Sequence, residues 1–127
     1  MPLDIAPTQR QLTGLRNYQD GLAAEDSAAV EMQLRGASVL ERRWRSPQGE
    51  IDLICREGDE FVFVEVKKAA THDAAAERLT DRQTKRIINT AYDYLADVPN
   101  GMMAFWRVDA ALVDRFGRVE ILTNITI

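Results

Sequence analysis

Asp52, Glu65 and Lys67 stand inside two short apolar strands, in the stretch GEIDLICREGDEFVFVEVK from Gly49 to Lys67. Strand side chains alternate faces with a period of two. Glu50 and Asp52 therefore share a face of the first strand. Glu65 and Lys67 share one on the second, together with Phe61 and Phe63. Val62, Val64 and Val66 occupy the opposite face, so both faces are apolar and the second strand is expected to be buried. A carboxylate or an ammonium in such a strand costs free energy unless it is paired or binds a metal. Two carboxylates facing each other across adjacent strands raise each other's pKa, and a divalent cation removes that penalty. Magnesium takes one or two protein carboxylates and fills its other positions with water and phosphate oxygens. Lys67 could orient an attacking water or stabilise charge on a phosphate oxygen. These parts suit metal-assisted hydrolysis of a phosphodiester by in-line attack. The alternative is a structural ion-pair network on a sheet.

The elements that must position these residues follow from periodicity and turn chemistry. From Gln9 to Arg35 the pattern is helical: Leu15, Tyr18, Leu22, Ala29 and Met32 recur at spacings of three and four and form one stripe. Glu25 falls on that stripe between Leu22 and Ala29, so it projects toward the sheet as a further ligand or a holder of a metal-bound water. Gly36 stops the helix. Ala37 to Arg45 reads as a strand, with Arg42, Arg43 and Arg45 among Val39, Leu40 and Trp44. Ser46-Pro47-Gln48-Gly49 and Glu57-Gly58-Asp59-Glu60 are turns, which makes three antiparallel strands. Thr71-His72-Asp73 can cap a short helical turn. Thr80 with Gln83 matches a capping box and opens a helix to about Asp97, with Ile87, Ile88, Ala91, Tyr94 and Leu95 as its apolar stripe. Met102 to Val113 and Val119 to Thr123 are the last strands. The expected fold class is α/β, a mixed sheet flanked by helices. Residues 1–8 are expected to be a loose arm and residues 9–127 one domain.

Composition narrows the function further. With 46% apolar and 28% charged residues, the chain has the mixture of a globular protein and not a disordered one. No apolar run approaches the length of a membrane span, and the first residues lack the pattern of a secretory signal, so the expected location is cytoplasmic. One cysteine, Cys55, and one histidine, His72, exclude an intramolecular disulfide, a cysteine cluster and a multi-histidine zinc site. Any metal would have oxygen ligands, which points to Mg²⁺ or Mn²⁺. The net charge of −4 argues against a nucleic-acid partner. Its distribution argues the other way, because Arg42, Arg43, Arg45, Lys68, Arg82, Lys85 and Arg86 gather near the hairpin in sequence. They read either as solvated surface or, with Gln83, as a phosphate track whose binding weakens with salt. Glu50 reads either as a site member or as an exposed residue where its strand begins.

Asp52, then Glu65-Val66-Lys67 thirteen positions on, resembles the Asp…Glu-x-Lys core of the restriction-endonuclease-like superfamily. Glu25 on a first helix is similar to the arrangement in archaeal Holliday-junction resolvases. More closely, the chain resembles the YraN-like family of predicted endonucleases. The matching residues are Gly21-x-x-Ala24-Glu25, Gly36, Trp44-Arg45-Ser46, Gly49-Glu50-Ile51-Asp52-Leu53-Ile54, Phe63-Val64-Glu65-Val66-Lys67, Ala91 with Tyr94-Leu95, and Arg107-x-Asp109. The resemblance covers roughly Gly14 to Val113. It implies an αβββαβ core, a divalent metal and a nucleic-acid substrate, DNA first, with branched or flapped forms in view. It makes Asp52 and Glu65 metal ligands, Lys67 the catalytic lysine and the Val66 carbonyl a further ligand, with Glu25 and Glu50 as additional members of the site. It also implies a homodimer. The chain departs from the family pattern in carrying Arg43 where asparagine is usual, and Gln83 where lysine is usual. A binding module with the same fold and little turnover, or a protein interaction domain, are the alternatives.

Overall fold

The computed structural model describes residues 6–126. Its elements are helix α1 (Gln9–Leu34), strands β1 (Ser38–Ser46), β2 (Gly49–Glu57) and β3 (Glu60–Lys68), helices α2 (His72–Ala76) and α3 (Asp81–Asp97), and strands β4 (Phe105–Val113) and β5 (Val119–Leu122). The five strands form one mixed sheet in the order β1-β2-β3-β4-β5. β3 and β4 pair in parallel and the other neighbours antiparallel. The parallel pair needs a crossover, which α2 and α3 supply. The architecture is the expected α/β one and is consistent with a restriction-endonuclease-like core.

The alternation in β3 sets the two layers. Val62 and Val64 pack with Leu53, Cys55 and the α1 residues Ala28, Ala29 and Met32. Phe61 and Phe63 pack on the opposite face with Ile51, Ile54, Val108 and the α3 residues Ile87, Ala91, Tyr94 and Leu95. The Tyr94 ring meets Trp44, Phe61 and Phe63 edge-on, at centroid distances of 5.2, 5.9 and 5.9 Å. Edge-to-face pairs of this kind add to the burial of the rings themselves. They anchor α3 over the three strands that carry the acidic residues.

Several local expectations change. Thr8, assigned to the loose arm, is the N-cap of α1 in a reciprocal capping box with Gln11, while residues 1–5 of that arm lie outside the described residues. The apolar stripe of α1 is only half used: Ala29 and Met32 are buried, but Leu15 and Tyr18 are more than half exposed. Residues 9–20 are exposed throughout, so the first turns of α1 cover no core. The capping box expected at α3 is half formed, since Thr80 Oγ1 accepts from the Gln83 amide but no return bond is made. β4 starts at Phe105 because Gly101–Met103 forms a 3₁₀ turn.

The alternation predicted for β2 also fails at one point. Arg42 pairs with Leu53 and Trp44 with Ile51. Two positions apart, Ile51 and Leu53 should share a face, yet Leu53 packs under α1 and Ile51 under α3. The strands turn over at the Arg43–Asp52 level, where Arg43 has a φ of 51°. Gly49, one turn earlier, lets α3 close on the start of β2. A Cβ there would lie 3.0 Å from Arg86 Cδ and 3.1 Å from Thr90 Oγ1. Gly49→Ala should lower stability by about 1–2 kcal/mol, read as a lower urea midpoint with unchanged slope. An unchanged midpoint would mean that α3 does not need this approach.

Candidate active site

The β2–β3 ladder ends at Leu53–Val64. Beyond that pair the strands part, and Asp52 takes over the bonding: its Oδ2 accepts the Val66 amide proton at 2.7 Å. In a strand the N–H and C=O of one residue leave on the same edge. The Val66 carbonyl therefore also leaves toward β2, past the last ladder pair. Lys67 Nζ stands 3.2 Å from Glu65 Oε1, with both side chains about 15% exposed. A cleft of about 590 Å³ opens between these strand ends and α1. Glu25, Asp52, Val66, Lys67, Lys68 and Arg78 contribute to its wall. Glu65 is set back from the wall and faces Asp52 and Lys67.

This placement is electrostatically costly. Burial pushes the Asp52 carboxyl up to about 7, helped by the negative charge of Glu65 and, less, by Glu25 and Glu50; the Val66 amide pulls the other way. Burial likewise raises Glu65, against the pull of the Lys67 ammonium. One lysine does not balance two half-buried carboxylates and their acidic neighbours, which is the imbalance a bound cation corrects. Among the described residues no three His, Cys, Asp or Glu side chains converge as a metal-ligand cluster. The donors that fit a cation here are therefore the Asp52 and Glu65 carboxylates and the Val66 carbonyl, with water completing the shell, as magnesium or manganese accepts.

The remaining sequence candidates divide sharply. Glu25 is buried against the cleft as its stripe position predicts, but both its oxygens accept from Arg43 Nε, at 3.1 and 2.9 Å. Glu50 is partly exposed and bonds Arg45 Nε at 3.2 Å. Arg42 bonds Asp26 at 2.5 Å. Each arginine of β1 in the expected track is thus paired with a carboxylate, while Arg42 and Arg45 remain exposed to solvent. Lys68 lines the cleft, 3.9 Å from Asp20. Arg82, Lys85 and Arg86 are exposed on α3. Gln83 Oε1 is buried without a hydrogen-bond partner among the described residues.

Three cleft residues, Asn17, Asp20 and Arg78, escaped the sequence reading. Arg78 donates to the Lys68 carbonyl at 2.8 Å and lies in an irregular segment without periodicity to mark it. Asp20 lies on α1, and only the position of the sheet shows that it borders the cleft. His72, given no role from sequence, bridges α2 to the β4–β5 connection through the Arg118 carbonyl at 2.9 Å and Glu120 at 3.2 Å. Arg107 pairs with Asp109 and also with Glu57 and Glu60, away from the cleft.

The family model described as "Uncharacterised protein family UPF0102" matches residues 24–113. The chain belongs to the UPF0102 family. The family match begins at Ala24, the first buried residue of α1, and spans Glu25, Asp52, Glu65, Lys67 and Arg78. It bears out the YraN-like resemblance. A UPF0102 protein of Cereibacter sphaeroides strain KD131 is 48% identical over 113 residues, 89% of this chain and 97% of that protein. One of Ruegeria pomeroyi is 49% identical over 111 residues, covering 87% and 90%. A third, of Dinoroseobacter shibae, is 42% identical over 125 residues, covering 97% and 93%. Among the described residues of this UPF0102 chain, no helix is long and apolar enough to cross a membrane.

The raised Asp52 carboxyl gives a signed prediction for the metal-free UPF0102 protein. Its folded pKa of about 7 exceeds the ordinary 3.8, so the folded state binds the proton more tightly than the unfolded one. Stability from this group is fully present below about pH 4 and is lost as pH rises through 7. Asp52→Asn keeps an acceptor for the Val66 amide and removes the charge. It should raise stability by about 2 kcal/mol at pH 8, with the gain shrinking toward zero near pH 4. Thermal midpoints at both pH values, in the presence of EDTA, measure this. A variant destabilised at pH 8 would contradict the electrostatic account.

Proposed function

We propose that this cleft is a divalent-cation-dependent phosphodiesterase centre acting on nucleic acid, with DNA as the leading substrate. The observation that carries the reading is the pair of half-buried, mutually repelling carboxylates, Asp52 and Glu65, beside the Lys67 ammonium where two strands part. Asp52, Glu65 and the Val66 carbonyl would hold Mg²⁺ or Mn²⁺. When bound, the ion supplies charge for the phosphoryl oxygens and lowers the pKa of a water. Lys67 holds the attacking water or a phosphate oxygen by a charge-assisted hydrogen bond. Glu65 keeps that ammonium at the strand end instead of letting it swing to solvent. Lys68 and Arg78, on the same wall, seat neighbouring phosphates. Arg82, Lys85 and Arg86 on α3 extend the basic surface and make binding salt-dependent.

A second reading, a nucleic-acid-binding module with the same fold and little turnover, draws on one observation: Glu25 is committed to Arg43 and adds no third carboxylate for a cation. A single experiment separates the two. Purified protein is incubated with Mg²⁺ or Mn²⁺ and linear, flapped or four-way-junction DNA, beside Lys67→Ala and Asp52→Asn. The enzyme reading expects EDTA-sensitive cleavage that falls on the order of 100-fold or more in Lys67→Ala, the scale of losing one transition-state charge contact, and below detection in Asp52→Asn. Binding without cleavage by all three proteins supports the module. Neither cleavage nor binding by the wild type excludes both.

A further inference from the structure

Arg43 occupies a backbone conformation that does not suit it. Its φ of 51° is in the left-handed region, which disfavours a residue with a long side chain and is open to glycine and asparagine. Holding arginine there costs free energy, so something in the fold must fix it. The side chain shows what: Nε donates to both oxygens of Glu25, and the guanidinium lies 5.5 Å from the centre of the Tyr18 ring. The side chain is about one-third exposed. Glu25, by contrast, is buried, lines the same cleft as Asp52 and contributes to the rise of its pKa. A cation of the chain itself therefore covers the one further buried carboxylate that the cleft presents.

We infer that Arg43 is a positioning residue that withholds Glu25 from the cation site, so that a bound ion is held by Asp52, Glu65 and the Val66 carbonyl and keeps the water that Glu25 would displace. The inference rests on reading the cleft as a cation site, and deepens it. One Nε–H is shared between both oxygens of Glu25, so the carboxylate's charge is already offset and its orientation set by Arg43, and ligation by Glu25 would compete with that ion pair. Removing the guanidinium frees the carboxylate without deleting any residue of the site. Asparagine at position 43 suits the backbone, which offsets part of the cost of leaving Glu25 unpaired in the metal-free variant, and circular dichroism of each variant establishes that it is folded before titration.

Terbium luminescence tests this without reference to activity. Tb³⁺ lifetimes in H₂O and D₂O count the waters on the bound ion, and titration gives the affinity. Arg43→Asn should bind Tb³⁺ about 10-fold more tightly, as expected for removing one nearby positive charge, and with one fewer water than the wild type. Charge alone would tighten binding but leave the water count unchanged, so the count decides. The double variant Arg43→Asn/Glu25→Gln should regain the lost water. Arg43→Lys, which keeps a cation beside Glu25, should match the wild-type count. Arg43→Gly serves as a second backbone-compatible variant and should repeat the asparagine result. An unchanged water count in both Arg43→Asn and Arg43→Gly overturns the inference, as does a lost water that persists in the double variant. If the wild type binds Tb³⁺ and Asp52→Asn does not, the cation site stands whatever Arg43 does. If the wild type binds no Tb³⁺, that reading and this inference fail together.

Discussion

Two half-buried carboxylates held side by side at the floor of a cleft are the constraint around which the rest of this fold is arranged. Asp52 sits where the β2–β3 ladder stops, and it replaces a ladder bond with its own bond to the Val66 amide. That bond fixes the carboxylate but does not neutralise it. Glu65 faces it with only Lys67 as a counter-charge. The folded protein tolerates the arrangement because large apolar clusters flank it on both faces of the sheet. The unfavourable charge is supported by packing elsewhere, a common feature of sites that must stay ready for a ligand.

The chain's other charges fall into place around that centre. Arg43 covers Glu25, Arg45 meets Glu50, Arg42 meets Asp26, and Lys68 approaches Asp20. The cleft thus has a neutralised rim and an unbalanced floor. A net charge of −4 is compatible with a polyanionic partner only if the contact surface is locally basic. On the cleft wall Lys67, Lys68 and Arg78 stand against Asp20, Glu25 and Asp52, so under the proposed reading the excess of positive charge would come from the exposed cations of α3.

Much of this was legible in the sequence, because period and turn chemistry are local signals. The strand pair from Gly49 to Lys68, the capped helix ending at Asp97 and the inward Glu25 all follow from spacing. What escaped depends on where elements end relative to one another. The α1 stripe is continuous through Leu15 and Tyr18, yet both are exposed, and no helical period encodes how much of a helix the neighbouring sheet covers. The face change at Asp52 escaped because Arg43 carries no mark of a left-handed backbone, whereas asparagine at the same place would have signalled one. Arg78 and Asp20 border the cleft only through the tertiary fold. The strand arginines looked like a track because sequence shows charge but not which carboxylate has claimed it.

The central claim is that Asp52 is kept in a site its charge destabilises, and that a divalent cation relieves the cost. Carbon-13 NMR of the Asp52 carboxyl, followed through a pH titration with and without Mg²⁺, tests it directly. The account predicts a midpoint near 7 in the metal-free protein and a marked downward move when Mg²⁺ is added. A midpoint near the ordinary 3.8 in the metal-free protein, or one that Mg²⁺ leaves in place, would contradict it.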